Sequence, residues 1–434
     1  MIFEQAMVYT GEILLDDQVV VVREGRIESI GPDKVLPQPG ESVRSAKGHL
    51  MMPGLANTHC HIPMTLLRGY GEGLPLQRWL FEKMFPFEEH LTPQDIYWGT
   101  SLGLLELIAS GCTFYEDMYY EVEEIARATA QAGLRANIGR GVTQTQSGRS
   151  FFEHVAYQDT ERLAERIKKE GWSDLLRVDV TLHAEYTTEE CLMREVAAYA
   201  KETERILQVH VSETRAEQEA CLQKYGVTPL GLLERSGVLD GPVVAAHCVH
   251  VSKGDLTLLK EHKVSVAHCI SSNLKLGSGI APIKAMKEAG IAVTLGTDGA
   301  ASNNNLNMFE ELHLAAMVHK GVNEDSLLFS PQEMLHMASR AGFEAGHRWD
   351  CGFLKAGAAA DLLLLDLSRA HLQPGFDRLS DVVYSAQASD VALTMVAGQI
   401  LYEKGEYKTL DEEKIKFEAK RSQRRILQEL GVLR

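Results

Sequence analysis

Residues 51–61, Met51-Met52-Pro53-Gly54-Leu55-Ala56-Asn57-Thr58-His59-Cys60-His61, join a short apolar run to two histidines separated by one residue. The run from Met51 to Thr58 reads as a β-strand. In extended chain alternate side chains face the same side, so His59 and His61 can both turn toward one ion. Taken alone, the pair would equally suit two polar loop residues behind a strand. Its meaning depends on whether the same pattern recurs downstream.

It does. Seven further runs of strand length follow, Cys112 to Asp117, Arg135 to Gly139, Arg177 to Leu182, Ile206 to Val211, Pro242 to Ala246, Val264 to Ala267 and Ile291 to Leu295. Helical patterns separate them, as over Pro93 to Ser110, Glu121 to Ala132, Thr187 to Glu204, Arg215 to Lys224 and Ile283 to Ala289. This alternation predicts an α/β chain with a parallel sheet, and eight strands are the number that closes a (β/α)8 TIM barrel. Catalytic groups of such barrels stand at the carboxyl ends of the strands. Here His59 and His61 follow the first strand, His183 and Glu185 the fourth, His210 and Glu213 the fifth, His247 the sixth and Asp298 the eighth.

Both ends of the chain have a different character. Gln18 to Arg23 and Ile27 to Ile30 flank the turn Glu24-Gly25-Arg26, which predicts a hairpin, and Asp361 to Asp366 and Ala392 to Tyr402 are similarly strand-rich. The expected division is a small β-sandwich domain from residues 1–53 and 356–410, a barrel over 54–355, and a C-terminal helix within 411–434.

Composition narrows the function classes. A formal net charge of -16, spread along 434 residues, argues against nucleic acid or an anionic membrane as partner. The seven cysteines include no Cys-x-x-Cys pair, so neither a disulfide framework nor a zinc knuckle is indicated. No apolar run has signal-peptide or membrane-spanning character, and the expected location is cytoplasmic.

Three imidazoles (His59, His61, His210) and the Asp298 carboxylate would leave a divalent ion room for a water, whose pKa it lowers toward about 7. Glycines at 296 and 299 flank Asp298 and permit close approach of backbone to a ligand, although Asp-Gly also suits a plain turn. Glu213 is then placed to move protons between water and substrate, against the alternative of a first-turn acid on the Arg215 helix. His247 directly follows an apolar run and is preferred to His250 as a hydrogen-bonding partner for the attacking oxygen. His262 and His268 read as a surface and a strand-interior histidine.

At this point the chain resembles the amidohydrolase superfamily, in particular its 5-methylthioadenosine/S-adenosylhomocysteine deaminase group. The matching segments are PGLANTHCH, MTLLRGYGEGLPLQRWL, HVSET, AAHCVH, SSNLKLGSGIAP and LGTDGAASNNNLNMFEE, and the similarity covers nearly the whole chain. The resemblance implies one divalent metal ion, Zn2+ in preference to Fe2+ or Mn2+, on His59, His61, His210 and Asp298. Leu182-His183-Ala184 stands where two-metal members carry a lysine, which favours a single ion. It further implies that Glu213, His247 and Asp298 are catalytic, with Glu213 and Asp298 also touching the substrate ring. Glu88 would bind ribose hydroxyls, His183 the nucleoside, and Arg140 and Arg149 the 5′ substituent. The implied activity is hydrolytic deamination of an adenosine derivative to its inosine analogue, the partner being a small nucleoside and a homo-oligomer being compatible. The rival readings are the same hydrolysis on guanine, cytosine or a triazine, and a noncatalytic metal-binding relative.

Overall fold

A computed structural model describes residues 1–143 and 150–433 of the chain. Eight parallel strands form one sheet: Leu55–Cys60, Cys112–Tyr119, Arg135–Val142, Leu176–Leu182, Leu207–Val211, Val243–His247, Ser265–His268 and Val293–Leu295. Last and first strands meet through side chains and loop. Thr58 Oγ1 lies 2.6 Å from Thr294 Oγ1 and donates to the carbonyl of Leu295 at 3.0 Å, and the Asp298 N–H donates to the carbonyl of His59 at 3.0 Å. The sheet is thereby wrapped into the expected barrel.

One strand is displaced from its expected position. Met51, Met52 and Pro53 belong to the strand His49–Pro53 of a second sheet, and the barrel strand begins only at Leu55. Gly54 makes the break, because a Cβ there would fall 2.0 Å from Thr113 Oγ1. A residue without a side chain lets the chain pass this close to its neighbour on leaving one sheet for the other.

The second sheet has nine strands, mixes parallel and antiparallel pairing, and is drawn from both ends of the chain. Its junction is the antiparallel pairing of His49–Pro53 with Leu362–Asp366. Phe3, Val20, Met51, Leu362 and Met395 build its own apolar core. A buried ion pair ties the two sheets, with Arg135 Nε of the third barrel strand 2.5 Å from Asp361 Oδ2 and Nη2 3.1 Å from Oδ1.

The helix Glu412–Glu429 buries Ile415, Ala419 and Ile426. Its Arg425 donates to Asp95 Oδ2 at 2.5 Å and its Gln423 to the carbonyl of Leu66 at 2.8 Å, bracing the segment that follows His61. Among the described residues no helix is long and apolar enough to cross a membrane.

Within the barrel, Glu116, Asn137, Asp179 and Gln208 stand on four successive strands and all are buried. Gln208 donates to Asp179 Oδ2 at 2.8 Å, and Arg348 donates to Asn137 Oδ1 at 3.1 Å and to the carbonyls of Ala136 and Leu175. Neither carboxyl oxygen of Glu116 has a hydrogen-bond partner among the described residues.

Candidate metal centre and pocket

The strand ends bring the expected donors together. Nε2 of His61 lies 3.2 Å from Nε2 of His210 and 3.2 Å from Oδ1 of Asp298, and Nε2 of His59 lies 3.6 Å from the same oxygen. His247 also reaches this space: ligand atoms of His59, His210, His247 and Asp298 all fall within 4.8 Å of one another.

Hydrogen bonds on the far side of the His61 and His210 rings set their tautomers. His61 Nδ1 donates to the carbonyl of Met118 and His210 Nδ1 to that of His183, both at 2.6 Å. Each of these two rings therefore turns its Nε2 inward. Two ring nitrogens facing each other at 3.2 Å need a shared proton or a shared cation between them, and the buried Nε2 of His59 has no hydrogen-bond partner among the described residues. Imidazoles whose other nitrogen is bound to a carbonyl, together with one carboxylate, suit a single zinc-like ion.

Burial pushes His59 down to about 4 and His210 well below the usual histidine value. On His61 burial is overridden by the Asp298 carboxylate, which lifts it to about 9. Burial acts on Asp298 against its charge, but the His59 and His61 rings beside it hold it well below the ordinary carboxylate range. Ser272 and Ser302 hydroxyls donate to its Oδ2 at 2.6 and 2.7 Å, leaving Oδ1 for the histidines.

Glu213 follows the fifth strand and is buried, which raises its carboxyl to about 7 although His247 opposes the rise. His247 Nε2 stands 3.8 Å from Glu213 Oε2, and its Nδ1 donates to Asn273 Oδ1 at 2.8 Å. Ser278 Oγ donates to Glu213 Oε1 at 3.1 Å. One segment after the seventh strand thus holds three groups: Ser272 grips Asp298, Asn273 grips His247 and Ser278 grips Glu213. Sequence reasoning missed these roles, although Ser-Ser-Asn at the end of a barrel strand was a signal. His250 donates to the carbonyl of Ser278 at 2.7 Å and so braces that segment from outside the cluster. His268 is buried with Nε2 2.9 Å from Nε2 of His319, whereas His262 is half-buried and donates to the carbonyl of Leu239.

A pocket opens beside this cluster, with Trp79, Phe85, Tyr120, Tyr186 and Leu276 among its walls. Glu88 and His183 also line it. Glu88 accepts from the Tyr119 hydroxyl at 2.6 Å, and its burial raises its carboxyl above the ordinary range. His183 is driven by burial to about 3 and is neutral. Arg140 is absent from the pocket wall. Its guanidinium donates to Asp159 at 3.1 Å and to the carbonyl of Gly141 at 2.7 Å, and lies 4.5 Å from the ring centre of Tyr120. Its charge is already paired, so here it supports a tyrosine of the wall. Arg149 lies outside the described residues.

The amidohydrolase family model matches residues 50–401. The 5-methylthioadenosine/S-adenosylhomocysteine deaminase of Acetivibrio thermocellus is 44% identical over 94% of each chain. That of Caldanaerobacter subterraneus subsp. tengcongensis is 42% identical over 98% of this chain and 93% of its own. The crystal structure of an adenosine deaminase from Xanthomonas campestris with bound zinc superposes with a TM-score of 0.92, at 30% identity and covering 98% of both chains. An atrazine chlorohydrolase from Arthrobacter aurescens shares the fold, with a TM-score of 0.88 at 23% identity over 97% of this chain and 99% of its own. With donors at the strand ends and a family match over most of its length, the chain belongs to the amidohydrolase family.

Proposed function

We propose that this chain is a zinc-dependent hydrolase that deaminates adenosine derivatives, 5-methylthioadenosine and S-adenosylhomocysteine foremost, to the inosine analogues. The observation that carries the reading is Glu213, a buried carboxyl raised to about 7 that lies against His247 at the edge of the metal cluster. A carboxyl near neutrality can give up and regain a proton within one turnover, as removal of an amine from a purine requires. The names of the relatives at 44% and 42% identity support the substrate class.

His59, His61, His210 and Asp298 would hold the ion. Held there, zinc would supply a water whose pKa is lowered toward about 7. Asp298 Oδ1 accepts a proton from the attacking water, its other oxygen being occupied by Ser272 and Ser302. Glu213 protonates N1 of the adenine ring, which makes C6 electrophilic. His247, its tautomer fixed by Asn273, hydrogen-bonds the incoming oxygen at C6. The amine takes up the proton held by Asp298, the C6–N bond of the tetrahedral intermediate breaks as the C6 hydroxyl returns its proton to Glu213 and becomes the carbonyl, and ammonia leaves. Glu88, steadied by Tyr119, is placed to accept from ribose hydroxyls.

The test is ammonia release by purified protein from methylthioadenosine, S-adenosylhomocysteine, adenosine, guanine and cytosine. Turnover of the first two above the rest is expected. Silence on every adenosine derivative would remove the proposed substrate class.

A further inference from the structure

The link between His210 and Glu213 is built unusually. Ser212, fully buried, has φ +48°, a left-handed conformation that costs energy for a residue with a side chain. Three successive backbone N–H groups follow the strand, those of Ser212, Glu213 and Thr214, and all three point at one carboxylate. Glu217 Oε1 accepts from Ser212 at 2.7 Å, and Oε2 accepts from Glu213 at 2.7 Å and from Thr214 at 3.3 Å.

Helix capping explains only the weakest of these bonds. Glu217 is the third residue of the helix Arg215–Tyr225, capped by Thr214, and an acid at that position ordinarily reaches back to the N–H of the cap. The described residues offer three other α-helical boxes for comparison. Asp95, Asp255 and Glu333 bind the N–H of their own caps, Thr92, Ser252 and Ser330, at 2.8, 2.7 and 2.8 Å. No N–H ahead of the cap is bound by any of those three acids. Glu217 does the reverse, with its cap at 3.3 Å and its two short bonds on Ser212 and Glu213. Glu185 is buried beside it, and burial together with the neighbouring Glu217 raises the Glu185 carboxyl to about 10.

We propose that Glu217 is a positioning residue for the deamination: by gathering the Ser212, Glu213 and Thr214 N–H groups it fixes where the Glu213 carboxyl meets the substrate ring. The inference rests on the reading of Glu213 given above. Glu217 is not among the residues that line the pocket. It acts through the backbone, holding a turn that Ser212 would not keep by itself.

The experiment compares Glu217→Gln, Glu217→Asp and, as a control box away from the site, Glu333→Gln. Bound zinc, melting temperature, kcat, KM and amide hydrogen exchange over 212–214 are measured on each zinc-loaded protein. For Glu217→Gln, kcat is expected to fall by about a hundredfold, the effect of a displacement near 1 Å. KM and zinc content should hold while exchange at 212–214 quickens. Adding Ser212→Gly, which adopts the left-handed turn without strain, should restore part of kcat. Glu333→Gln should change only the melting temperature. Wild-type kcat together with unchanged exchange in Glu217→Gln overturns the proposal. Should that variant fail to fold, Glu217→Asp decides by the same two readouts, since its shorter side chain cannot reach all three N–H groups. A wild-type protein silent on every adenosine derivative would sink the deamination reading instead, and exchange over 212–214 would still judge Glu217.

Discussion

Asn273 Oδ1 accepts from His247 Nδ1 at 2.8 Å, and this bond turns Nε2 of the same ring toward Glu213 Oε2, 3.8 Å away. The amide thereby selects which nitrogen faces the chemistry. Asn273→Ala should free the ring to take either tautomer and lower kcat by roughly ten- to a hundredfold, the usual effect of losing such an orienting partner. Steady-state kinetics beside zinc analysis checks this. Unchanged kcat would show that the ring needs no anchor.

Glu213→Gln keeps the shape of the side chain but cannot cycle a proton. Its kcat should drop by about a hundred- to ten-thousandfold, the range that general acid–base catalysis contributes. Zinc content should equal that of the wild type, because Glu213 is not among the proposed ligands. Retained turnover would remove Glu213 from the mechanism.

Metal removal tests the cluster itself. Chelated protein should lose activity and recover it with zinc at one equivalent per chain. If zinc binds only the folded state, free ion at a hundred times its Kd adds about 2.7 kcal/mol of stability. The melting temperature should therefore rise with zinc, and His210→Ala should abolish the rise. A stoichiometry near two equivalents would contradict the single-ion site.

Glu116 gives a prediction in pH. Its carboxyl is raised well above the ordinary value by burial and then by the charge of Asp179, and its oxygens lack partners. An acid with a raised folded pKa costs nothing below its unfolded value and destabilises the fold progressively as pH climbs from there toward the folded value. Glu116→Gln removes that cost. Its melting temperature relative to wild type should climb between pH 5 and pH 8. Parallel melting curves across that range would refute the assignment.

The Arg135–Asp361 pair joins the barrel to the terminal sheet and is almost fully buried. Asp361→Asn leaves a buried guanidinium uncompensated and should cost roughly 3–5 kcal/mol in denaturant unfolding. Turnover per folded molecule should change little, since the pair stands away from the pocket. A kcat loss at full folding would mean that the junction communicates with the site.

Much of this was legible in the sequence because its causes are local. Strand-length apolar runs separated by helical patterns dictated the barrel, and the barrel rule placed His59, His61, His210, Glu213, His247 and Asp298 at one mouth. Gly54 marked a break that periodicity alone did not reveal, since the reason lies in Thr113 on the next strand. Arg140 shows the opposite limit: the sequence offers a cation near the site, and only the structure shows that Asp159 pairs with it.

By itself the sequence determined which donors exist and at which strand ends they stand, for chain direction and the alternation of side chains follow from neighbouring residues. Only the tertiary structure decided which atoms meet. Ser272 with Asp298, Asn273 with His247, Ser278 with Glu213 and Tyr119 with Glu88 are pairs made by barrel closure and strand register. Those pairings fix tautomers and protonation through burial and distance, quantities that do not exist until the strands are side by side.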